Sequence, residues 1–170
     1  PHPIPRRQRQ MCIRDSTMRL IAHRGNLNGP NPLVENDPQR ITYCIDEGYD
    51  VEIDVRYDHH TNMLWLGHDE PQHKVNWFWI AGRRDRLWIH CKDVATLHEF
   101  STKTSGYNFF FHDKDDYTLT SKQYIWAYPG KSYTDHTIMV MPEWKEDVDW
   151  DTLRATNCYG ICTDYPQRLI

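Results

Sequence analysis

No stretch of the 170 residues approaches the ~20 apolar positions of a membrane-spanning helix, and the N-terminus lacks the apolar core of a secretory signal. Membrane insertion and export are therefore not expected, and a cytoplasmic protein is. The five cysteines lack the paired spacing of a zinc site, and Cys44, Cys91, Cys158 and Cys162 fall in or beside apolar runs. That favours reduced, buried thiols over a disulfide framework. A surplus of Lys and Arg is missing from the body of the chain. The formal net charge is -4, but the segment through Thr17 carries Arg6, Arg7, Arg9 and Arg14 against Asp15, a balance of +3, which leaves -7 for the rest. An acidic body does not displace counterions from a phosphate backbone, so nucleic acid is not an expected partner. Internal repeats and low-complexity segments are also missing after the first seventeen residues.

What is present suffices for one domain with a hydrophobic core, since 39% of the residues are hydrophobic and chains of this length bury roughly 70% of their unfolded surface. Residues 1–17 are rich in Pro, Arg and Gln without periodicity. The run Gln10-Met11-Cys12-Ile13-Arg14-Asp15-Ser16 resembles translated sequencing-adapter read-through. The expectation is a non-native or disordered tail over 1–17, a natural start at Met18, and a single domain over 18–170.

Eight short runs have strand character: Arg19–His23, Asp50–Tyr57, Met63–His68, Leu87–Lys92, Asn108–His112, Gln123–Tyr128, Thr137–Met141 and Tyr159–Thr163. All are rich in the β-branched and aromatic residues that suit a half-buried pleated surface. Helical patterns intervene. Asp37 can cap a helix with Pro38 at its first position, Ile41, Cys44 and Ile45 on one face and Gly48 at its end. Further short helices fit Val75–Ala81, Val94–Thr102 and Trp150–Thr156. The connections Asp58–Asn62, Asp113–Lys122 and Pro129–His136 are too short for helices. A complete eight-stranded α/β barrel takes about 250 residues. The expected fold is therefore α/β, a contracted TIM-type (β/α)8 barrel with several outer helices missing, against the competing architecture of a smaller open α/β sheet.

Chemistry-bearing residues recur where these strands end. His23-Arg24-Gly25 sets an imidazole that titrates near neutrality beside a guanidinium that can grip phosphate oxygens. In Val51-Glu52-Ile53-Asp54-Val55, strand alternation puts two carboxylates on one face and three aliphatics on the other. Aimed inward, such carboxylates need a cation to stay ionised; on an exposed edge they are merely solvated. Gly67-His68-Asp69 supplies a second imidazole, and displacement at phosphorus needs one base and one acid. His90-Cys91-Lys92 puts His90 and Lys92 on one face, with a hydrogen-bonded core histidine as the plainer account of His90. His112, Trp126 and Glu143 follow later strands, where a substrate pocket, a turn cap and core filling compete, with Glu143 a candidate metal ligand or contact for substrate hydroxyls; Tyr128 alternates onto the face of Trp126. His59-His60 reads as solvated surface.

His23-Arg24-Gly25, Glu35-Asn36, Glu52-Ile53-Asp54, Gly67-His68-Asp69 and the late Gly160-Ile161-Cys162-Thr163-Asp164-Tyr165-Pro166 together resemble the glycerophosphodiester phosphodiesterase family, in order and spacing as well as identity, over essentially Met18 to Ile170. The resemblance implies an α/β barrel that cleaves small glycerophosphodiesters to glycerol phosphate and an alcohol. It implies His23 and His68 as the acid/base pair, Glu52 and Asp54 as ligands of a divalent metal ion, magnesium or calcium with manganese as a further option, and Arg24 and Lys92 as phosphate contacts. Glu35 would brace the site near His23 and the metal, and Glu35 or His90 is the candidate further metal ligand. One departure stands out: the family usually presents Glu-x-Lys on its fourth strand, where this chain has His90-Cys91-Lys92, so His90 replaces an oxygen ligand with an imidazole and moves preference away from calcium. The chain is also considerably shorter than the usual member. An internal substrate hydroxyl, giving a cyclic phosphate, is the favoured nucleophile over water. The rival readings are a sphingomyelinase-D-like or phosphatidylinositol-type phospholipase, for which Trp77, Phe78 and Trp79 would face lipid, and a catalytically silent metal- or phosphate-binding barrel.

Overall fold

The computed structural model describes residues 2–8, 18–103, 105–145 and 147–170. Apart from residues 2–8, where Arg6 Nε meets Glu47 Oε1 at 2.7 Å, the expected tail lies outside the described residues.

All eight strand-like runs form strands, and two more appear. In chain order they are β1 (Arg19–His23), β2 (Asp50–Asp58), β3 (Met63–Leu66), β4 (His73–Val75), β5 (Leu87–Cys91), β6 (Phe109–Phe110), β7 (Tyr117–Leu119), β8 (Ile125–Ala127), β9 (Thr137–Val140) and β10 (Gly160–Thr163). Parallel pairing runs in the order β6-β5-β2-β1-β10-β9-β8, with β7 antiparallel on β8. The fold is mixed α/β with a single curled sheet.

One strand departs from expectation. Met63–Leu66 runs antiparallel to the far half of β2, Val55 opposite Leu66 and Asp58 opposite Met63, and β4 extends the hairpin. Asp58–Asn62 is the cause. A link so short can only reverse the chain, because a parallel neighbour needs a crossover of a dozen or more residues. His68 therefore reaches the site from a hairpin and not from a parallel strand end.

The helices are few and are capped as their sequences dictate. In α1 (Pro38–Asp46), Asp37 accepts from the Gln39 amide, Pro38 opens the first turn, and Gly48 at φ 103° lets the chain leave. Asn76 caps α2 (Trp77–Ala81), Asp93 caps α3 (Val94–Ser101) and Asp149 caps α4 (Trp150–Arg154). The Thr96 hydroxyl of α3 accepts from the Tyr57 amide, locking that helix onto β2. Trp77 packs at 5.2 Å from Phe100 and 6.2 Å from Tyr107, which accounts for it as core. Phe78 is exposed, and no helix among the described residues is long and apolar enough to cross a membrane.

Strand alternation divides the apolar residues into two sets. Val51, Ile53 and Val55 face the helices together with Leu20, Ala22, Ile41 and Phe100. Ile21, Trp88, Phe110, Trp126, Ile138 and Cys162, drawn from β1, β5, β6, β8, β9 and β10, pack on the concave face. Phe110 and Trp126 come within 4.5 Å between ring centres, and the Ser121 amide donates to the Phe109 carbonyl, so the curl brings β6 close to β8 although no strand ladder joins them among the described residues. This aromatic floor leaves the C-terminal ends of the strands open above it. Cys44, Cys91, Cys158 and Cys162 are buried free thiols.

Candidate active site

A cavity of about 320 Å³ opens at those strand ends, at the small end of the ~300–1,000 Å³ typical of ligand sites. His23, Arg24, Glu52, Asp54, His68, His90, Lys92 and His112 form one side of it. Trp126, Tyr128, Pro129, Val140, Met141 and Trp144 form the other, with Asp113 and Asp115 also lining it.

The two carboxylates point inward as alternation requires, with side chains 3% and 1% exposed for Glu52 and Asp54. Asn36 fixes the second of them from both sides, donating from Nδ2 to Asp54 Oδ2 at 3.0 Å and accepting from the Asp54 amide at 3.0 Å. Asn36 and Arg24 are both left-handed, at φ 59° and 56°, and the Asn36 amide donates to the Arg24 carbonyl. Met141, also lining the cavity, sits at φ 47°. Such conformations cost of order 1–3 kcal/mol each and gather where function demands them.

Nitrogen groups surround Asp54. Arg24 Nε lies 3.4 Å from Oδ2, and His90 Nδ1 and Lys92 Nζ lie 3.3 and 3.6 Å from Oδ1. Burial alone would raise the Asp54 carboxyl, but His90, Arg24 and the Asn36 hydrogen bond hold it well below the ordinary range. Glu52 shifts the opposite way, pushed up by burial and then by the Asp54 charge. Glu52 Oε2 and Asp54 Oδ1 are buried and accept no hydrogen bond. Glu52, Asp54 and His90 each offer a ligand atom, all within 4.8 Å of one another. Two such oxygens turned toward a common point beside an imidazole nitrogen fit a divalent cation.

The histidines are held differently. His23 Nδ1 lies 2.8 Å from Asp164 Oδ1, which also accepts from Asn26 Nδ2 at 2.9 Å, and His23 Nε2 lies 3.7 Å from Glu52 Oε2. Burial lowers the His23 imidazole, but the Asp164 hydrogen bond and the Glu52 charge outweigh it and raise its pKa. His68, 40% exposed at the mouth, bonds Asp69 Oδ1 through Nδ1 at 2.7 Å, and its pKa is lowered by burial and by the Arg24 charge. Arg56 Nη2 donates to the His68 carbonyl at 2.8 Å and pins the loop. His112 stacks on His90 with ring centres 4.7 Å apart, and burial and the neighbouring His90 charge pull it down to about 4.

Two expected residues fall elsewhere. Glu143 does not line the cavity: Thr163 Oγ1 sits 2.8 Å from both its carboxylate oxygens, and Oε2 also accepts from the Asp164 amide at 2.9 Å. With its oxygens engaged there, it steadies Asp164 rather than serving as a ligand or substrate contact. Glu35 lies outside the Glu52, Asp54 and His90 cluster, with Oε1 3.6 Å from Arg24 Nη1, so it orients the guanidinium. Trp126 is both core and cavity wall. The residues that the sequence reading left without a role are Asp164, Asn26 and Asn36. Asp164 carried the same signal as His23, a polar residue directly after an apolar strand.

No protein-family model, curated protein or solved structure matches the chain.

Proposed function

We propose that this protein is a metal-assisted phosphodiesterase of the glycerophosphodiester phosphodiesterase kind, built on a contracted TIM-type barrel and acting on a small glycerophosphodiester. One observation carries the reading: two imidazoles, a guanidinium, an ammonium and a buried carboxylate pair, one oxygen of each without a hydrogen bond, all line one cavity. Phosphoryl chemistry uses each of these. Neither a solvated acidic edge nor a core histidine accounts for their convergence.

Arg24 and Lys92 bind the phosphate as fixed positive charges, the guanidinium also offering a planar fork of donors. A divalent cation held by Glu52 and Asp54 would supply further positive charge against a non-bridging phosphate oxygen. His23 and His68 divide the proton work. Because Nδ1 of each is engaged by an aspartate, Nε2 is the nitrogen left to exchange protons with substrate. Environments that push two titratable groups in opposite directions mark the acid and the base. His68, lowered, takes the proton from the attacking oxygen; His23, raised, gives one to the departing alkoxide as its bond to phosphorus breaks. A neighbouring glycerol hydroxyl is the favoured nucleophile, because it is already next to phosphorus at high effective concentration.

Incubation of the purified chain with glycerophosphocholine, glycerophosphoethanolamine and glycerophosphoinositol, with and without chelator, tests the proposal. Chelator-sensitive release of glycerol phosphate or its cyclic form from at least one of the three is expected. Binding of metal and glycerol phosphate without turnover of any of them would favour the silent barrel instead.

A further inference from the structure

We infer that His90 is itself a metal ligand through Nδ1, making with Glu52 and Asp54 a nitrogen-and-oxygen site that selects first-row transition ions over calcium and magnesium. The inference rests on the phosphodiesterase reading only in that both require a cation at this position.

The tautomer is the starting point. His90 Nε2 lies 3.4 Å from the carbonyl oxygen of His112, and a carbonyl only accepts, so Nε2 carries the hydrogen. Nδ1 is the nitrogen turned to the carboxylates, 3.3 Å from Asp54 Oδ1 and 3.9 Å from Glu52 Oε1. Glu52, Asp54 and His90 each offer a ligand atom within 4.8 Å of the others, so a cation set among them would take the Nδ1 lone pair in place of a proton. Metal-bound histidines characteristically donate their other ring N–H to a carbonyl or carboxylate, which is the arrangement here.

The ring is held in that orientation. Phe110 stacks on it at 5.2 Å and 12°, and His112 at 4.7 Å and 18°. Phe110 and His112 are themselves 6.2 Å apart, so both rings flank the imidazole from the β6 side and keep Nδ1 on the side of Asp54. Imidazole also suits iron, nickel, copper and zinc, whereas magnesium and calcium prefer oxygen ligands.

The wild-type chain, stripped with chelator and loaded with Mn²⁺, provides the direct test. Pulsed electron paramagnetic resonance should show nitrogen modulation from a directly coordinated imidazole. Calorimetric titration of the same protein should give Co²⁺ and Zn²⁺ affinities at least about tenfold above that of Ca²⁺. In His90→Glu, checked for folding by circular dichroism, the modulation should vanish and the preference should move toward Ca²⁺ and Mg²⁺. Bound Mn²⁺ without nitrogen modulation, tighter binding of Ca²⁺ than of Co²⁺ and Zn²⁺, or no binding of any of these ions would overturn the inference. Glycerophosphodiester turnover is read separately. Turnover with an oxygen-only metal sinks the role of His90 and leaves the phosphodiesterase standing, whereas a nitrogen-ligated metal without turnover does the reverse.

Discussion

His23 and Asp164, 141 residues apart in the chain, meet through a 2.8 Å hydrogen bond that decides which nitrogen of the imidazole faces the cavity. Parallel pairing of β1 with β10, Ala22 opposite Thr163, is what brings them together.

Replacing Asp164 with Asn keeps the shape and removes the charge. The base, His68, must be neutral and limits rate at low pH; the acid, His23, must be protonated and limits it at high pH. Asp164 raises the His23 pKa, so its loss should move the alkaline limb of the rate profile to lower pH and leave the acidic limb in place. A pH profile of kcat/KM on wild type and Asp164→Asn reads this directly, and an unmoved alkaline limb counts against the pairing of roles.

Asn36 holds Asp54 by two hydrogen bonds from a left-handed backbone. Asn36→Ala leaves the Asp54 amide and one carboxylate oxygen without those partners in a buried site. A loss of about 2–4 kcal/mol in urea unfolding is expected, at 1–3 kcal/mol for each stranded group with partial relaxation. A loss below about 1 kcal/mol would mean that water replaces the amide freely.

Gly67 starts the loop that carries His68. A Cβ there would run into the carbonyl oxygen of Glu70, so Gly67→Ala has to move the loop. Because His68 is peripheral to the core, kcat should fall well before the fold does. Circular dichroism close to wild type with a reduced kcat is the expected pair of results; unchanged kcat would remove His68 from the chemistry.

Burial raises the thiols of Cys44 to about 12 and of Cys158 to about 11, and also raises those of Cys91 and Cys162. None is a thiolate near neutrality. In a Cys12→Ser chain, a thiol-reactive dye at pH 8 should label nothing quickly until denaturant is added. Rapid labelling of the native chain would show that one of these cysteines lies open.

Much of this was legible in the sequence because alternation is a local code. Val51 to Val55 announced an apolar face and an acidic one, and the structure packs them so; Asp37, Pro38 and Gly48 announced α1. The hairpin was less legible. Met63–Leu66 has the same strand character whichever way it runs, and only the shortness of Asp58–Asn62 forbids a parallel return. Glu143 was misplaced for a related reason: its strand end was evident, but the neighbours that engage it, Thr163 and Asp164, come from β10 and the residue after it, and single-sequence spacing does not show which strands lie side by side. Asp164 became a partner of His23 only through the same adjacency.

The most direct test of the central claim follows glycerophosphodiester cleavage by phosphorus NMR in wild type, His23→Ala and His68→Ala, each with added Mn²⁺ and with chelator. Wild type should convert substrate only when metal is present, and each histidine variant should lose about 10²–10⁴-fold in rate while staying folded. Turnover that ignores the chelator, or that survives both substitutions, would contradict the account.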